Sequence, residues 1–316
     1  MAAAVGRAVP EPRSVVLTGA SRGLGLASAA HLYARGWRVV GAMRSPGTGL
    51  DRLRAATGAA AGDPRLIAVR LDLEDPASIS EAARSIEEAV GAPDALVHNA
   101  GVAAVGCAEE MPFEVWERLF RTNAFGPVRL TQALLPSMRA AGRGRIVVIS
   151  SQGGVRGMPA ISAYSASKAA LERWAEALAE EVAPFGLGVT VLVSGTFQTD
   201  ILTEQTPHLG DLRGPYAPLY VGIERAGRSM IRLLANPPER FAPALARALD
   251  ERGPFARHAV GVDARLLVLG SRMLPGWLLH HVVRRSMGIP PRGALRGDAP
   301  GRPHQPSASE ESKQHG

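Results

Sequence analysis

Short apolar segments alternate with longer helical patterns along most of this 316-residue chain. Strands are predicted at residues 14–17, 37–42, 66–69, 95–97, 146–149 and 189–193, with a last one at 258–262. The middle strands are apolar throughout, as expected for strands that are buried on both faces of a sheet. We therefore predict an α/β fold, a single doubly wound domain in which a central parallel sheet is flanked by helices.

The ends of the chain differ from this pattern. Residues 1–13 lack the continuous apolar core of a signal peptide, and we expect them to be flexible. The tail, residues 292–316, has almost no apolar side chains, so we expect disorder there. The single cysteine, Cys107, excludes an intrachain disulfide and suits a reducing cytoplasm, the predicted location.

The distribution of charge and the short length of the apolar runs argue against two further classes of protein. The formal charge is +7, but the arginines are dispersed and form no stripe interleaved with aromatic residues. Nucleic-acid binding is therefore disfavoured, and small anionic ligands are favoured. No uncharged apolar run reaches eighteen residues, which argues against a spanning helix.

A glycine-rich turn, Thr-Gly-Ala-Ser-Arg-Gly-Leu-Gly at residues 18–25, lies between the first strand and the first helix. Glycine lets the backbone approach a pyrophosphate closely, and the N-terminus of a helix offers unpaired N–H groups. Because the turn lies between a strand and a helix, we favour pyrophosphate binding over the alternative that residues 18–25 form an ordinary loop. This interpretation predicts a Rossmann-type dinucleotide-binding domain over residues 14–291.

The second predicted strand leads into Arg44, where a site specific for NAD would place a carboxylate. Arg22, inside the glycine-rich turn, supplies a second guanidinium on the same side. Two arginines can hold a 2′-phosphate by charge-assisted hydrogen bonds, although both could also be solvated surface charges. We predict that NADP(H) is preferred over NAD(H).

Tyr164 and Lys168 lie four residues apart in a predicted helix, which puts both side chains on one face. An ammonium near a phenol favours the phenolate, so we expect Lys168 to lower the pKa of Tyr164 towards neutrality. Such a tyrosine can act as a general acid or base. Ser151 stands at the C-terminal end of a predicted buried strand, where ligands bind in open α/β sheets.

These motifs resemble those of the classical short-chain dehydrogenases. The match covers residues 14–199 and includes the spacing of Gly19, Gly23 and Gly25, which differs from that of the extended epimerase and dehydratase branch. Ser151 precedes Tyr164 by thirteen residues, as in the family. The resemblance implies a catalytic tetrad, which comprises Asn123, Ser151, Tyr164 and Lys168.

The roles in the tetrad also follow from the resemblance. Tyr164 exchanges a proton with the reacting oxygen, which Ser151 hydrogen-bonds. Lys168 holds the nicotinamide ribose, and Asn123 supports a water that links Lys168 to solvent. The implied cofactor-binding residues are Gly19, Ser21, Arg22, Gly23, Leu24, Gly25, Arg44, Asp72, Leu73, Asn99, Ala100, Gly101, Tyr164, Lys168 and Thr199.

One of these positions has a second interpretation, and two neighbouring positions differ from the family. Asp72 matches the family's adenine-binding Asp but could equally be a loop or capping carboxylate. His98 replaces the more usual Asn before Asn99-Ala100-Gly101. Ser194 replaces the proline of the segment that ends at Thr199, which leaves that turn less pre-set.

The implied activity is the interconversion of an apolar secondary alcohol and ketone, or of a primary alcohol and aldehyde. The alternative is a non-catalytic NADP(H)-binding regulator, although the chain keeps all four residues of the tetrad. The resemblance implies a homodimer or homotetramer, and we predict no metal site. The chain is only loosely similar to the steroid- and retinoid-oxidising members.

The region after residue 199 is expected to set substrate specificity. We predict a substrate loop or lid over residues 200–235 and a C-terminal cap over 263–291. The apolar, basic segment 266–287 could cover the substrate pocket, form a dimer surface or touch a membrane. Because Gly270, Pro275 and Gly276 are expected to interrupt a helix, we favour packing over membrane contact.

Overall fold

The computed structural model describes residues 12–199 and 206–295. Most of the predicted flexible N-terminus, most of the predicted disordered tail and the first part of the predicted lid lie outside these ranges. No helix of the described residues is long and apolar enough to cross a membrane.

Seven parallel strands form one sheet in the order β3-β2-β1-β4-β5-β6-β7. The order reverses between β1 and β4, which confirms the predicted doubly wound α/β fold. The strands are β1 (Ser14–Thr18), β2 (Arg38–Met43), β3 (Leu66–Arg70), β4 (Ala95–His98), β5 (Gly144–Ser151), β6 (Leu187–Ser194) and β7 (Phe255–Val260).

The helices before the lid are α1 (Gly23–Ala34), α2 (Pro46–Thr57), α3 (Pro76–Val90), α4 (Phe113–Phe120), α5 (Gly126–Ala141), α6 (Gln152–Val155) and α7 (Ser162–Val182). One π-helical turn, Arg121–Phe125, joins α4 to α5. The later helices are α8 (Ala217–Leu234), α9 (Ala242–Leu249), α10 (Val262–Met273) and α11 (Gly276–Ser286).

Two apolar layers cover the sheet, one on each face. Ile79, Leu130 and Leu171 bring α3, α5 and α7 against one face. Leu32 and Leu245 bring α1 and α9 against the other. This double burial explains why the middle strands of the sheet consist mainly of Val, Ile and Leu, whereas the edge strand β7 contains Arg257 and His258.

The structure corrects the expectation of a loop for much of residues 200–235, because Ala217–Leu234 form α8. Tyr216, Leu219, Tyr220 and Ile223 recur at helical spacing and pack in one apolar cluster with Cys107 and Ala160. This buried face stabilises the helix, and Pro218 is tolerated because it lies in the first turn.

The structure also shows where the cap is interrupted. Pro275 separates α10 from α11, as predicted, and Gly276 is the first residue of α11. Gly270, in contrast, lies inside α10, so the predicted interruption at this position is wrong. A Cβ at Gly270 would lie 3.5 Å from Leu279 Cδ1, so this glycine lies where α11 packs against α10.

Candidate active site

The glycine-rich turn after β1 is shaped for a close approach of backbone to backbone. Gly19 and Gly23 have φ values of +69° and +53°, which side chains with a Cβ rarely adopt. A Cβ at Gly25 would lie 2.2 Å from the Gly19 carbonyl oxygen, so only glycine fits there. The turn leads directly into α1, whose first residues, Gly23 and Leu24, line a cleft at the C-terminal edge of the sheet.

This cleft encloses about 1150 Å³, including its open mouth. Of the predicted cofactor-binding residues, only Gly25 does not line it. The residues that line it are Gly19, Ser21, Arg22, Gly23, Leu24, Arg44, Asp72, Leu73, Asn99, Ala100, Gly101, Tyr164, Lys168 and Thr199. Ile149 and Ser150 of β5 and Ser194 of β6 also line the cleft, so it brings together residues from six strand ends and from α7.

Arg22 and Arg44 are both exposed, and both line the cleft. Asp72 also lines the cleft, and its Oδ1 accepts a hydrogen bond from the Glu74 N–H at 3.0 Å. This carboxylate thus stabilises its own loop, which is the alternative role that the sequence left open for Asp72. Glu74 also lines the cleft and binds Arg118 at 3.2 Å.

The Asn99-Ala100-Gly101 segment joins the ends of β4 and β1. Asn99 Nδ2 donates to the Thr18 carbonyl oxygen at 2.9 Å. The Thr18 hydroxyl accepts from the Asn99 and Ala100 N–H groups, both at 3.0 Å. These bonds hold the two strand ends beside the topological switch point, where open α/β sheets bind ligands.

Tyr164 is buried in the first turns of α7, with Ser151 at the end of β5 beside it. Burial raises the pKa of Tyr164, and a hydrogen bond with the Ser151 side chain acts in the opposite direction. The expected lowering of this pKa by Lys168 is not found, because desolvation dominates in this arrangement. Ser151 Oγ also accepts from the Gly153 N–H at 3.3 Å.

Lys168 lies one helical turn after Tyr164 and is also buried. Its ammonium donates to the Ile149 carbonyl oxygen at 3.0 Å. Burial lowers the pKa of Lys168 to about 8, and the charge of Glu172 acts in the opposite direction. The ammonium is therefore held between the end of β5 and the cleft.

Asn123 lies in the π-helical turn and is fully buried. Its Oδ1 accepts from the Val102 N–H and its Nδ2 donates to the Val102 carbonyl oxygen, both at 2.9 Å. A Cβ at Gly101 would lie 3.2 Å from Asn123 Oδ1 and 3.3 Å from Lys168 Nζ. Asn123 thus holds the loop after β4 next to the Lys168 ammonium.

His98 is buried behind the site, where its Nε2 hydrogen-bonds the Thr131 hydroxyl at 2.7 Å. Burial, followed by the charge of Lys168, lowers the pKa of His98 to about 3. The imidazole is therefore neutral at physiological pH. His98 therefore has a structural role in the core. Its position before Asn99 in the sequence did not indicate this role.

Sequence reasoning missed Ser150 and Glu172. The Ser150 hydroxyl donates to Glu172 Oε1 at 2.5 Å, and Glu172 also forms an ion pair with Arg257 of β7. Glu172 follows Lys168 by four residues on α7, so helical spacing alone places it near the ammonium. This spacing is the signal in the sequence from which Glu172 could have been identified.

The comparisons with known proteins agree with this geometry. Residues 13–210 match the family model described as short chain dehydrogenase. The chain belongs to the short-chain dehydrogenase family. This match confirms the resemblance found in the sequence. The chain is therefore a member of a family of oxidoreductases.

Named relatives and solved structures extend this result. A 3-ketodihydrosphingosine reductase of Bacteroides thetaiotaomicron is 31% identical over 280 residues, which cover 87% of this chain and 97% of that protein. The crystal structure of a short-chain dehydrogenase from Streptomyces avermitilis is 36% identical with a TM-score of 0.74, and covers 89% of this chain and 99% of that one. A metagenomic short-chain oxidoreductase solved in complex with NADP is 27% identical with a TM-score of 0.60, over 78% and 96% of the two chains.

Proposed function

We propose that this short-chain dehydrogenase is an NADP(H)-dependent oxidoreductase that interconverts an alcohol and a carbonyl group on a mainly apolar substrate. The reacting group is a secondary alcohol and ketone or a primary alcohol and aldehyde. The observation that carries the proposal is the position of Tyr164, buried beside Ser151 and one turn from Lys168 in the cleft of the glycine-rich turn.

The cleft fits a dinucleotide. Gly19 and Gly23, which line the cleft next to the N-terminus of α1, carry no side chain that would keep a pyrophosphate away from the backbone. The exposed Arg22 and Arg44 would hold a ribose 2′-phosphate by charge-assisted hydrogen bonds. The NADP bound to the metagenomic relative supports this choice of nucleotide. Thr199, within 3.4 Å of a Cβ at Gly23, would contact the nicotinamide end.

The chemistry divides between the cofactor and the protein. NADP(H), when bound, supplies or accepts the hydride. In the direction of reduction, the Tyr164 phenol donates its proton to the carbonyl oxygen. The Ser151 hydroxyl hydrogen-bonds the same oxygen and stabilises its developing negative charge. The Lys168 ammonium would hold the ribose hydroxyls, and its charge would stabilise the phenolate that forms during the reaction, even though burial keeps the pKa of the resting phenol raised.

The lid and the loop that it contacts supply apolar side chains for an apolar substrate. Tyr220 of α8 accepts a hydrogen bond from the Cys107 N–H at 2.6 Å, and Tyr216 donates to Glu109 at 2.6 Å. These bonds hold α8 in the apolar cluster to which Val105, Leu219 and Ile223 belong. The name of the Bacteroides relative, a reductase of a keto group on a sphingoid base, supports a substrate of this class.

The test is a panel of long-chain, steroid and retinoid ketones and aldehydes, each incubated with the protein and NADPH while the NADPH absorbance is followed. Consumption of NADPH with at least one of them, and formation of the alcohol, are expected. The alternative is a regulator that binds NADP(H) without turnover. That alternative predicts thermal stabilisation by NADP(H) but no consumption with any member of the panel.

A further inference from the structure

The C-terminal cap presents an apolar stripe to solvent. Val262, Leu266, Leu269 and Met273 recur at the spacing i, i+4, i+7 and i+11, so they share one face of α10. Their exposed fractions are 59%, 64%, 53% and 72%, whereas Ala264, on the opposite face, is fully buried. A helix that faces water normally has the reverse pattern, with its apolar face buried.

Trp277, four residues after Met273 and in the first turn of α11, is also an exposed apolar residue, with 68% of its surface accessible. Val282 on the same helix is 51% exposed. We call Val262, Leu266, Leu269, Met273 and Trp277 the apolar stripe. A tryptophan with an apolar body and a polar N–H is favoured at the boundary between lipid and water.

A basic groove lies along one edge of the stripe. It runs between α9, β7 and α10, and Val262 and Leu269 of the stripe form part of its wall. The arginines that line it are Arg240, Arg247, Arg257, Arg265 and Arg272. Its carboxylate, Glu251, is hydrogen-bonded to His258 at 3.2 Å. Arg257 is paired as well, with Glu172 and Glu176. The groove therefore owes its positive charge to Arg240, Arg247, Arg265 and Arg272, beside an apolar surface.

The sequence reinforces this charge. Between Asp263 and Asp298 it contains six arginines and no acidic residue. We propose that the apolar stripe and the basic groove together form a docking surface for an anionic lipid bilayer, with α10 lying in the plane of the interface. Apolar side chains beside clustered arginines are the combination that such an interface selects.

Two other occupants fit the charge and composition less well. In a symmetric dimer through this surface the same patch would meet itself, so Arg265 and Arg272 would approach the arginines of the second copy. The C-terminal residues 296–316 contain no Val, Leu, Ile, Met or aromatic residue with which to cover the stripe. An anionic surface satisfies both the apolar stripe and the arginines.

The docking surface is tied directly to the candidate active site. Asp263, in the first turn of α10, accepts from Gln152 Nε2 at 2.6 Å and from the Thr196 N–H at 2.7 Å. Gln152 directly follows Ser151. His280 of α11 hydrogen-bonds Arg156 in the loop before α7 at 3.0 Å. A bilayer bound at α10 would thus lie at a fixed position relative to the cleft.

Vesicle flotation tests the proposal on the full-length protein, and it requires neither turnover nor cofactor, so its outcome is independent of the proposed function. We expect binding to vesicles of equal parts phosphatidylcholine and phosphatidylglycerol, weaker binding at high salt, and no binding to phosphatidylcholine alone. The fluorescence of the exposed Trp277 should shift to the blue on binding, and Trp277→Phe should remove that shift.

Two double variants separate the apolar and charged contributions. Leu266→Glu with Met273→Glu should abolish binding, whereas Phe113→Glu, at an apolar residue of α4 that is 72% exposed, should bind as the parent does. Arg265→Gln with Arg272→Gln should weaken partitioning roughly 30-fold, since each arginine near an anionic surface contributes about fivefold. Arg52→Gln with Arg84→Gln, on exposed positions of α2 and α3, is the matched control.

All these positions are exposed, so the melting temperatures should stay close to that of the parent. The proposal is overturned if the parent fails to float with anionic vesicles, or if both double variants float as well as the parent does. It is also overturned if sedimentation shows a dimer that Leu266→Glu with Met273→Glu converts to a monomer. In that case the stripe is an interface between copies of the chain.

Discussion

The Ser150 hydroxyl donates a hydrogen bond of 2.5 Å to Glu172 Oε1, directly behind the candidate catalytic Ser151. Glu172 is 1% exposed, and its second oxygen pairs with Arg257 of β7. Burial raises the pKa of Glu172, which the Ser150 hydrogen bond and the Arg257 charge oppose. One carboxylate thus links α7 to β5 and β7. Its negative charge also opposes the lowering of the Lys168 pKa that burial causes.

Glu172→Gln removes that charge but keeps an oxygen for Ser150. The pKa of Lys168, about 8 in the parent, should then fall, because desolvation is no longer opposed by a nearby anion. Activity that needs the ammonium is lost as pH rises through this pKa, so the alkaline limb of kcat/KM should move to lower pH. Glu176→Gln, half-buried on the same helix, is the control, and an alkaline limb that stays in place in Glu172→Gln would refute this role.

His98 should make the stability of the fold depend on pH. Its folded pKa is about 3 and its unfolded value about 6.5, so below pH 6.5 the unfolded chain binds the additional proton. The contribution of the neutral ring is complete above pH 6.5 and is lost as pH falls towards 3. The free energy of unfolding should therefore fall by about 1.4 kcal/mol per pH unit in this window from His98 alone.

His98→Asn should remove this part of the slope, measured by urea unfolding at several pH values across the window. His281→Asn, which changes an exposed imidazole, should keep the parent's slope. Equal slopes for the parent and His98→Asn would show that the imidazole takes up a proton in the folded state.

Much of the site could be predicted from the sequence because its signals are local. The spacing of Gly19, Gly23 and Gly25 and the i, i+4 pair of Tyr164 and Lys168 are set by the backbone of one turn and one helix. The partners of these residues are not local. Lys168 donates to the carbonyl of Ile149, nineteen residues away, and that contact depends on how α7 packs on β5.

The same distinction explains the errors in the fold. Residues 203–220 are rich in Pro, Gly and polar residues, and this composition concealed the helical spacing of Tyr216, Leu219 and Ile223. The partners of these side chains, Val105 and Cys107, come from a distant loop. The helix α2, which starts Pro46-Gly47-Thr48-Gly49, was missed because two glycines weaken helix propensity, while buried Leu53 stabilises it through tertiary packing.

The cofactor preference rests on Arg22 and Arg44. Replacing both with alanine should lower kcat/KM for NADPH at least ~10²-fold relative to NADH, because each hydrogen bond to a charged group contributes ~1.5–3 kcal/mol. Arg52→Ala on α2, which does not line the cleft, is the control. A parent enzyme that uses the two cofactors with equal efficiency would overturn the preference.

Ser151 and Lys168 should differ in what they affect. Ser151→Ala should lower kcat by ~10²–10³ with little change in the dissociation constant of NADP(H), since its partner is the reacting oxygen. Lys168→Met should impair both kcat and the cofactor dissociation constant, because one ammonium serves the phenol and the ribose. Steady-state kinetics together with a thermal-shift titration with NADP(H) measure the two quantities. A Ser151→Ala variant that chiefly weakens cofactor binding would contradict the assignment.

The role of Tyr164 is tested most directly by the turnover number of Tyr164→Phe on a substrate that the parent enzyme converts. The substitution removes one hydroxyl and keeps the buried ring, so the melting temperature and the affinity for NADP(H) should stay close to those of the parent. Turnover should fall ~10²–10⁴-fold, the usual contribution of a positioned general acid or base. Turnover near that of the parent would mean that another group transfers the proton and that the proposed mechanism is wrong.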